Sequence, residues 1–356
     1  MADNIDAQGM QRLLDATIAA KASDLHVIVG KAPILRVNGD LKTIPNTQVL
    51  TAPQAEALVR STLRADIARR LNEFKEADFS FSYDHVRFRG NAYYEKGMMA
   101  GAYRLISSRV PSLDELGLPP IIKRFTSLKQ GFVIVTGPTG HGKSTTLASM
   151  IELINQTRQE NIITVEDPIE YVFSHNKSTI SQRELGVDTH SFAWALKSAL
   201  REDPNVILVG EMRDLDTIEA ALTLAETGHL VFTTLHTNDA AQTPNRIIDV
   251  FPANKQPQVR LQLSNTLSAI ISQRLLPRIK GGRIPATEIL IANSAVKSLI
   301  REGKTHQLGS IMQTSAAEGM VSLDKVLADL VSKGEVALDD ALMWVIDQKT
   351  FKTMVY

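Results

Sequence analysis

Gly137-Pro-Thr-Gly-His-Gly-Lys-Ser144 satisfies every fixed position of G-x-x-x-x-G-K-[ST], and its flanks are the ones that motif requires. Before it, Gly131 to Thr136 is a short apolar, β-branched run suited to a central parallel strand. After it, Thr145 to Asn155 places Leu147, Met150, Ile151 and Ile154 on one face of a helix. Strand, glycine-rich loop and helix in that order predict a nucleoside triphosphate site. Gly137, Gly140 and Gly142 let the backbone curl until successive N–H groups point into one concavity, to which the helix adds the positive end of its dipole. The expected nucleotide-binding set is Gly137, Pro138, Thr139, Gly140, His141, Gly142, Lys143, Ser144 and Thr145. Lys143 is expected on the β- and γ-phosphate oxygens, and the Ser144 hydroxyl on Mg²⁺, so ATP and Mg²⁺ are the expected cofactors.

A chain of 356 residues exceeds one compact domain of usual size and suits two. Lys plus Arg equals Asp plus Glu at 39 each, so no basic field favours nucleic acid, and a nucleic-acid partner is not expected. No apolar run approaches the ~20 residues that span a bilayer, and Met1-Ala-Asp-Asn4 lacks the basic start of a signal peptide. The expected location is the cytoplasm. The absence of cysteine excludes disulfides and thiolate zinc sites.

The first hundred residues read as an α+β module. Met10, Leu13, Leu14 and Ile18 form one helical face, Leu25 to Val29 reads as a strand, and Ile34–Val37 with Leu41–Ile44 reads as a hairpin turning at Asn38-Gly39. Thr51-Ala-Pro-Gln54 opens a second helix with a capping box. Alternation returns at Phe79 to Tyr83, Arg87 to Tyr94 and Met98 to Ile106, which predicts an antiparallel meander. Ser107 to Pro120, with its three prolines, breaks that pattern. The expected organisation is therefore a domain over 1–106, a linker over 107–120 and a second domain over 121–356. In the second, Ile162–Val165, Val206–Val209 and Leu230–Thr234 alternate with helical stretches near 192–202, 214–226 and 240–250, which predicts an α/β fold on a mainly parallel sheet. From Gln256 onward the pattern reads as mainly helical, with one strand at Ile284 to Ile291.

Ligands of an open parallel sheet sit beyond the carboxyl ends of its strands. Three such exits carry acid or imidazole. Glu166-Asp-Pro-Ile-Glu170 is a carboxylate cluster able to orient a water toward γ-phosphate. Glu211 follows Val206–Val209 and Gly210, where it either acts on Mg²⁺ through water or shares in positioning the nucleophile. His229 and His236 bracket Leu230–Leu235 and stand roughly 23 Å apart if that segment is extended, too far to share an ion. His236, at the carboxyl edge, is a candidate phosphate sensor, and His229, at the other edge, a structural or interface residue.

Gly137 to Ser144, Ile163 to Glu170, Val206 to Asp214 and Gly228 to Thr237 together resemble the four boxes of the type II/type IV secretion and pilus ATPase family. Ala22-Ser-Asp-Leu-His26, Ala295 to Glu302 and Gly303-Lys-Thr-His306 resemble its retraction branch. The resemblance implies an N-terminal PAS-like domain and a RecA-like ATPase domain with C-terminal helices. It also implies a homohexamer that drives pilus retraction and twitching motility on an inner-membrane platform protein, with a second retraction ATPase as a further partner. In that scheme the chain is a cytoplasmic protein held peripherally at the inner membrane, Glu170 is the catalytic carboxylate, Glu211 is the Walker B residue near Mg²⁺, and His229 with His236 is the His box. His141, Lys96, Lys297 and Ser298 depart from the usual residues of the family.

Phosphoryl transfer needs cationic charge beyond the loop lysine, so Arg87, Arg89 and Arg104 of the N-terminal strands are candidates to act on a neighbouring subunit's site. Ala295, Val296, Leu299 and Ile300 give an apolar helical face, and Leu299, Ile300 and Arg301 are the expected coupling segment. The alternatives are an assembly or type II secretion ATPase of the same family and, from another class, a low-turnover ATP-binding regulator or scaffold.

Overall fold

A computed structural model describes residues 7–37, 39–84, 86–106 and 109–355. Asn38 of the expected hairpin turn, the N-terminal residues 1–6 and Ser107-Ser108 at the start of the expected linker lie outside the described residues. The chain divides into two compact units, Met1–Arg109 with Glu170–Val172, and Val110–Ile169 with Phe173–Tyr356.

The first unit has a six-stranded antiparallel sheet: β1 (Asp24–Val27), β2 (Ile34–Val37), β3 (Asp40–Thr43), β4 (Glu76–Tyr83), β5 (Val86–Glu95) and β6 (Met98–Ile106), in the order β3-β2-β1-β6-β5-β4. β4, β5 and β6 form the expected meander. Helices Ala7–Ala19, Ala52–Arg60 and Ala65–Phe74 supply Met10, Leu13, Leu14, Leu58, Val59 and Leu71 to a core shared with Leu25, Phe88 and Tyr103. The helix at Ala52 starts as its sequence predicts, with the Thr51 N–H donating to Gln54 Oε1 at 2.9 Å. Strand register aligns Arg36, Asp24, Arg104, Arg89 and Ser80 in one row across five strands.

The second unit has seven strands: β7 (Gly131–Thr136), β8 (Asn161–Glu166), β9 (Thr179–Glu184), β10 (Val206–Val209), β11 (Leu230–Leu235), β12 (Leu267–Pro277) and β13 (Arg283–Ile291). Their order is β13-β12-β7-β11-β10-β8-β9, all neighbours parallel except β12 with β13. Alternation on β7 separates two cores. Phe132 and Ile134 meet Ile218, Leu222, Val259 and Leu263 on one face, while Val133 and Val135 meet Leu147, Met150, Ile151 and Ile154 on the other. Helix Lys143–Thr157 thus covers the sheet with the apolar stripe read from its sequence.

Three parts depart from the sequence expectation. Residues 267–277 form an eleven-residue strand where a helical pattern is expected. β12 is buried on both sides between β7 and β13, so its apolar residues do not alternate, and it follows helix Gln256–Thr266 with no glycine or proline between them. β9 is an edge strand reading Thr-Ile-Ser-Gln-Arg-Glu, too polar to give a periodic signal. Within the expected linker, Leu113 and Leu118 are buried in the second unit's core, because a proline-rich segment can pack without regular structure.

Candidate functional site

The loop between β7 and helix Lys143–Thr157 is built around positive φ angles: 138° at Gly137, 80° at Gly140 and 82° at Gly142. Gly137 is also required by its neighbour, since the atom it meets is backbone. A Cβ on Gly137 would come 2.3 Å from the Gln273 carbonyl oxygen, and one on Gly142 would come 2.9 Å from Gln273 Nε2. Lys143 is buried, and its Nζ donates to the carbonyls of Gly137 and Pro138 at 2.8 and 2.9 Å. Its pKa is lowered, first by burial. Ser144, at the first turn of the helix, is exposed.

β12 holds this loop from the side. Gln273 Nε2 donates to the His141 carbonyl at 2.7 Å, and its Oε1 accepts from Thr146 Oγ1 at 2.8 Å. The Leu275 N–H donates to His141 Nδ1 at 2.9 Å, so the neutral imidazole carries its proton on Nε2. Arg274 donates to the Gln273 and Asn238 carbonyls. Burial lowers the pKa of both His141 and Arg274.

β11 and β10 bring the second group of residues to the same edge. Thr136, at the end of β7, accepts the Thr237 N–H at 2.9 Å and bonds the Thr237 hydroxyl, which meets Thr243 Oγ1 at 2.7 Å. Thr234 Oγ1 donates to the Gly210 carbonyl at 2.6 Å, which fixes the turn that presents Glu211. Gly210 itself lies against the β8 exit, where a Cβ would stand 3.3 Å from Glu166 Cα. Glu211 Oε1 lies 3.3 Å from His236 Nε2, and its Oε2 lies 2.9 Å from an Arg213 guanidinium nitrogen. Arg213 also reaches toward Asp167, at 3.7 Å. The charge of Glu211 acts on Lys143 to raise its pKa against the effect of burial.

The predicted residues therefore separate. The loop, Lys143, Glu211 and His236 share the carboxyl edge of the second sheet. His229 lies at the amino end of β11, its Nδ1 2.8 Å from the Leu224 carbonyl. Of the acids in the 166–170 cluster, Glu166 is buried and accepts from Thr164 Oγ1 at 2.6 Å and Gln182 Nε2 at 3.1 Å. The Ile169 N–H donates to Glu184 Oε2 at 3.0 Å. Glu170 is exposed and belongs to the first unit. In that unit Arg87 donates to Ser80 Oγ at 2.8 Å, Arg104 pairs with Asp24 at 2.9 Å, and Arg89 stands opposite Arg104 in the strand register. On helix Ser294–Arg301, Val296 and Ile300 are fully buried in the second unit's core, Leu299 packs partly against it, and Arg301 is exposed. Ile300 thus packs in this core.

Sequence reasoning missed Gln273, Arg274, Arg213, Thr237 and Trp344. The polar run Ser272-Gln273-Arg274 inside a largely apolar stretch was the available signal for the first two. Trp344 gave none, since nothing in its local pattern places it against His141, where the ring centroids are 5.1 Å apart.

The family described as type II/IV secretion system protein matches residues 3–282. The chain is 48% identical over 321 residues to the type IV pilus retraction ATPase PilT of Pseudomonas aeruginosa, covering 90% of this chain and 93% of that protein. It is 50% identical over 311 residues to a twitching motility protein of Neisseria gonorrhoeae, covering 87% and 83%. Among solved structures, the pilus retraction motor PilT with bound ADP superimposes with a TM-score of 0.89 at 47% identity, covering 96% of this chain and 98% of that one.

Proposed function

This chain belongs to the type II/IV secretion system protein family, and we propose that it is the ATP-hydrolysing motor of type IV pilus retraction, driving pilin disassembly and twitching motility. The observation that carries the reading is the phosphate edge: a glycine loop bonded by Gln273 of β12, with the Lys143 ammonium on two of its carbonyls and Glu211 presented just after β10.

Lys143 would exchange its two loop carbonyls for phosphate oxygens. Successive loop N–H groups and the helix start supply the remaining positive potential. Mg²⁺ fits the donors present, which are the hard oxygens of Ser144 and Glu211. Because both Glu211 oxygens already face His236 and Arg213, Glu211 would hold the ion through water. When bound, Mg²⁺ neutralises charge on the transferring phosphoryl group. His236, on Glu211, is positioned to report on the γ-phosphate. Glu170 is the proposed base that orients water, and Arg87, Arg89 and Arg104 are proposed to act on a neighbouring subunit's site.

The working form is a homohexamer at the cytoplasmic face of the inner membrane, docked on a pilus platform protein and aided by a second retraction ATPase. Its N-terminal unit, 1–106, is PAS-like, and 121–356 is the RecA-like motor. Among the described residues no helix is long and apolar enough to cross a membrane. Leu299, Ile300 and Arg301 are the proposed coupling segment.

Deletion should abolish twitching while surface pili remain or accumulate, whereas loss of surface pili would make the chain an assembly motor. The purified protein should hydrolyse ATP only with Mg²⁺. Nucleotide binding without steady-state turnover would make it a regulator instead.

A further inference from the structure

The indole of Trp344 stands edge-to-face against the His141 ring with centroids 5.1 Å apart, and the Arg274 guanidinium lies 5.1 Å from the indole centroid. Trp344 sits between helices Leu338–Leu342 and Gln348–Val355, about two hundred residues beyond the loop that it touches. Its place is fixed from behind. Asp324, near the start of helix Leu323–Ser332, is buried and accepts the N–H groups of Ile346 and Asp347 at 2.8 and 2.9 Å. That helix is anchored in turn by Leu323, Leu327 and Ala328, which pack with Leu276 of β12 and with Phe351.

His141 is the loop residue held at most points. Its carbonyl is held by Gln273, its Nδ1 by the Leu275 N–H, and its ring by Trp344. The first two partners belong to the strand beside the loop and the third to the C-terminal helices. From this geometry we propose that Trp344 is a positioning residue for the phosphate loop. It acts through His141, so that the C-terminal helical segment sets the loop's readiness for nucleotide. The inference rests on the ATPase reading and extends it to a residue outside the family's four boxes. It also explains what His141 does in the loop. The imidazole is long enough to meet both β12 and the C-terminal segment, which a serine or alanine there would not do.

The test uses the full chain and steady-state ATPase with Mg²⁺. Trp344→Ala should raise KM for ATP about three- to tenfold, the scale of one aromatic ring contact, with a smaller change in kcat. Trp344→Phe, which keeps a ring edge for the imidazole, should show a smaller rise. In a His141→Ser background, Trp344→Ala should add a smaller rise than it does in wild type, because the His141 contact is already gone and only the Arg274 contact remains to be lost. The chain has two tryptophans, so a Trp194→Phe protein reports on Trp344 alone, and its emission should change on titration with ADP. A packing role alone would lower the melting temperature of Trp344→Ala while leaving KM, the double-mutant cycle and the ADP-dependent emission at their reference values, and that result would overturn the proposal. If Trp344→Ala does not fold, Trp344→Phe and the Trp194→Phe titration decide it. A wild-type chain that neither binds nor hydrolyses ATP would overturn the ATPase reading and this inference together, whereas active wild type with unaltered Trp344 variants overturns only the inference.

Discussion

His236 follows the last residue of β11 and His229 precedes its first, with six strand residues between them, yet the two ends of that strand do different work. At the carboxyl end His236 faces Glu211, whose other oxygen is held by Arg213. Around it, burial lowers the pKa of Lys143, His141 and Arg274 and raises that of Glu288. At the amino end His229 closes a turn, bonding the Leu224 carbonyl and the Thr227 hydroxyl. One edge of the sheet gathers partly desolvated titratable groups, among them the cations Lys143 and Arg274 that a phosphate can satisfy, and the other spends its imidazole on local backbone. Charged groups held under burial by a fold that covers them mark the functional edge, and residue type alone does not.

The largest effect that would break this comparison belongs to Lys143. Lys143→Ala should cut ATP turnover by at least about a thousandfold, since it removes the cation that meets the transferred phosphoryl group. The side chain is buried on two loop carbonyls, so the loop backbone also loses two hydrogen bonds, and circular dichroism should confirm that the rest of the fold survives. Near-wild-type turnover in a folded variant would remove the carboxyl edge as the site.

A second effect compares the histidines directly. His236→Ala should lower turnover about ten- to a hundredfold, the value of one hydrogen bond to a charged group, with little change in melting. His229→Ala should chiefly cost stability, about 1 kcal/mol for its partly buried hydrogen bonds, and lose less turnover than His236→Ala. Equal turnover losses at equal stability would mean that both ends of β11 serve the reaction, for instance across a subunit boundary.

Most of this edge was legible because short-range chemistry specifies it. A glycine loop needs positive φ, a strand end exposes the next side chain, and Gly137 to Ser144, Glu211 and His236 follow from those two rules. What stayed hidden depends on residues far apart in sequence. β12 is buried on both sides and shows no alternation, so Gln273 and Arg274 were invisible as loop partners until the strand was seen beside β7. Trp344 reaches His141 from a segment whose 346–347 N–H groups Asp324 holds. Of the face read on the helix at Ser294, Val296 and Ile300 are buried, Leu299 is half-buried and Ala295 is exposed. Periodicity does not say whether an apolar face meets the chain's own core or a partner, and here Ile300 meets the core.

The smallest effect sharpens the comparison by asking what the carboxyl edge costs. Glu288 of β13 is buried opposite Ser272 of β12, and its Oε2 accepts the Ala240 N–H at 2.6 Å, tethering the segment that follows His236. Burial, helped by the nearby Asp239, pushes its pKa up to about 7, against the lowering effects of the Ala240 and Leu323 backbone and of Arg274. The unfolded chain releases this proton near the ordinary glutamate value, about 4.3, whereas the folded chain keeps it until pH is near 7. Between those values the folded state binds more protons, so stability falls as pH rises through that window, and the loss is complete above it. Glu288→Gln keeps an acceptor for Ala240 and cannot ionise. It should therefore flatten the pH dependence, gaining about 2 kcal/mol on wild type between pH 5 and pH 8. Urea melts at the two pH values measure it. Parallel pH dependence in wild type and variant would mean that Glu288 ionises as freely in the fold as in the unfolded chain, and that the carboxyl edge holds its closing loop without this cost.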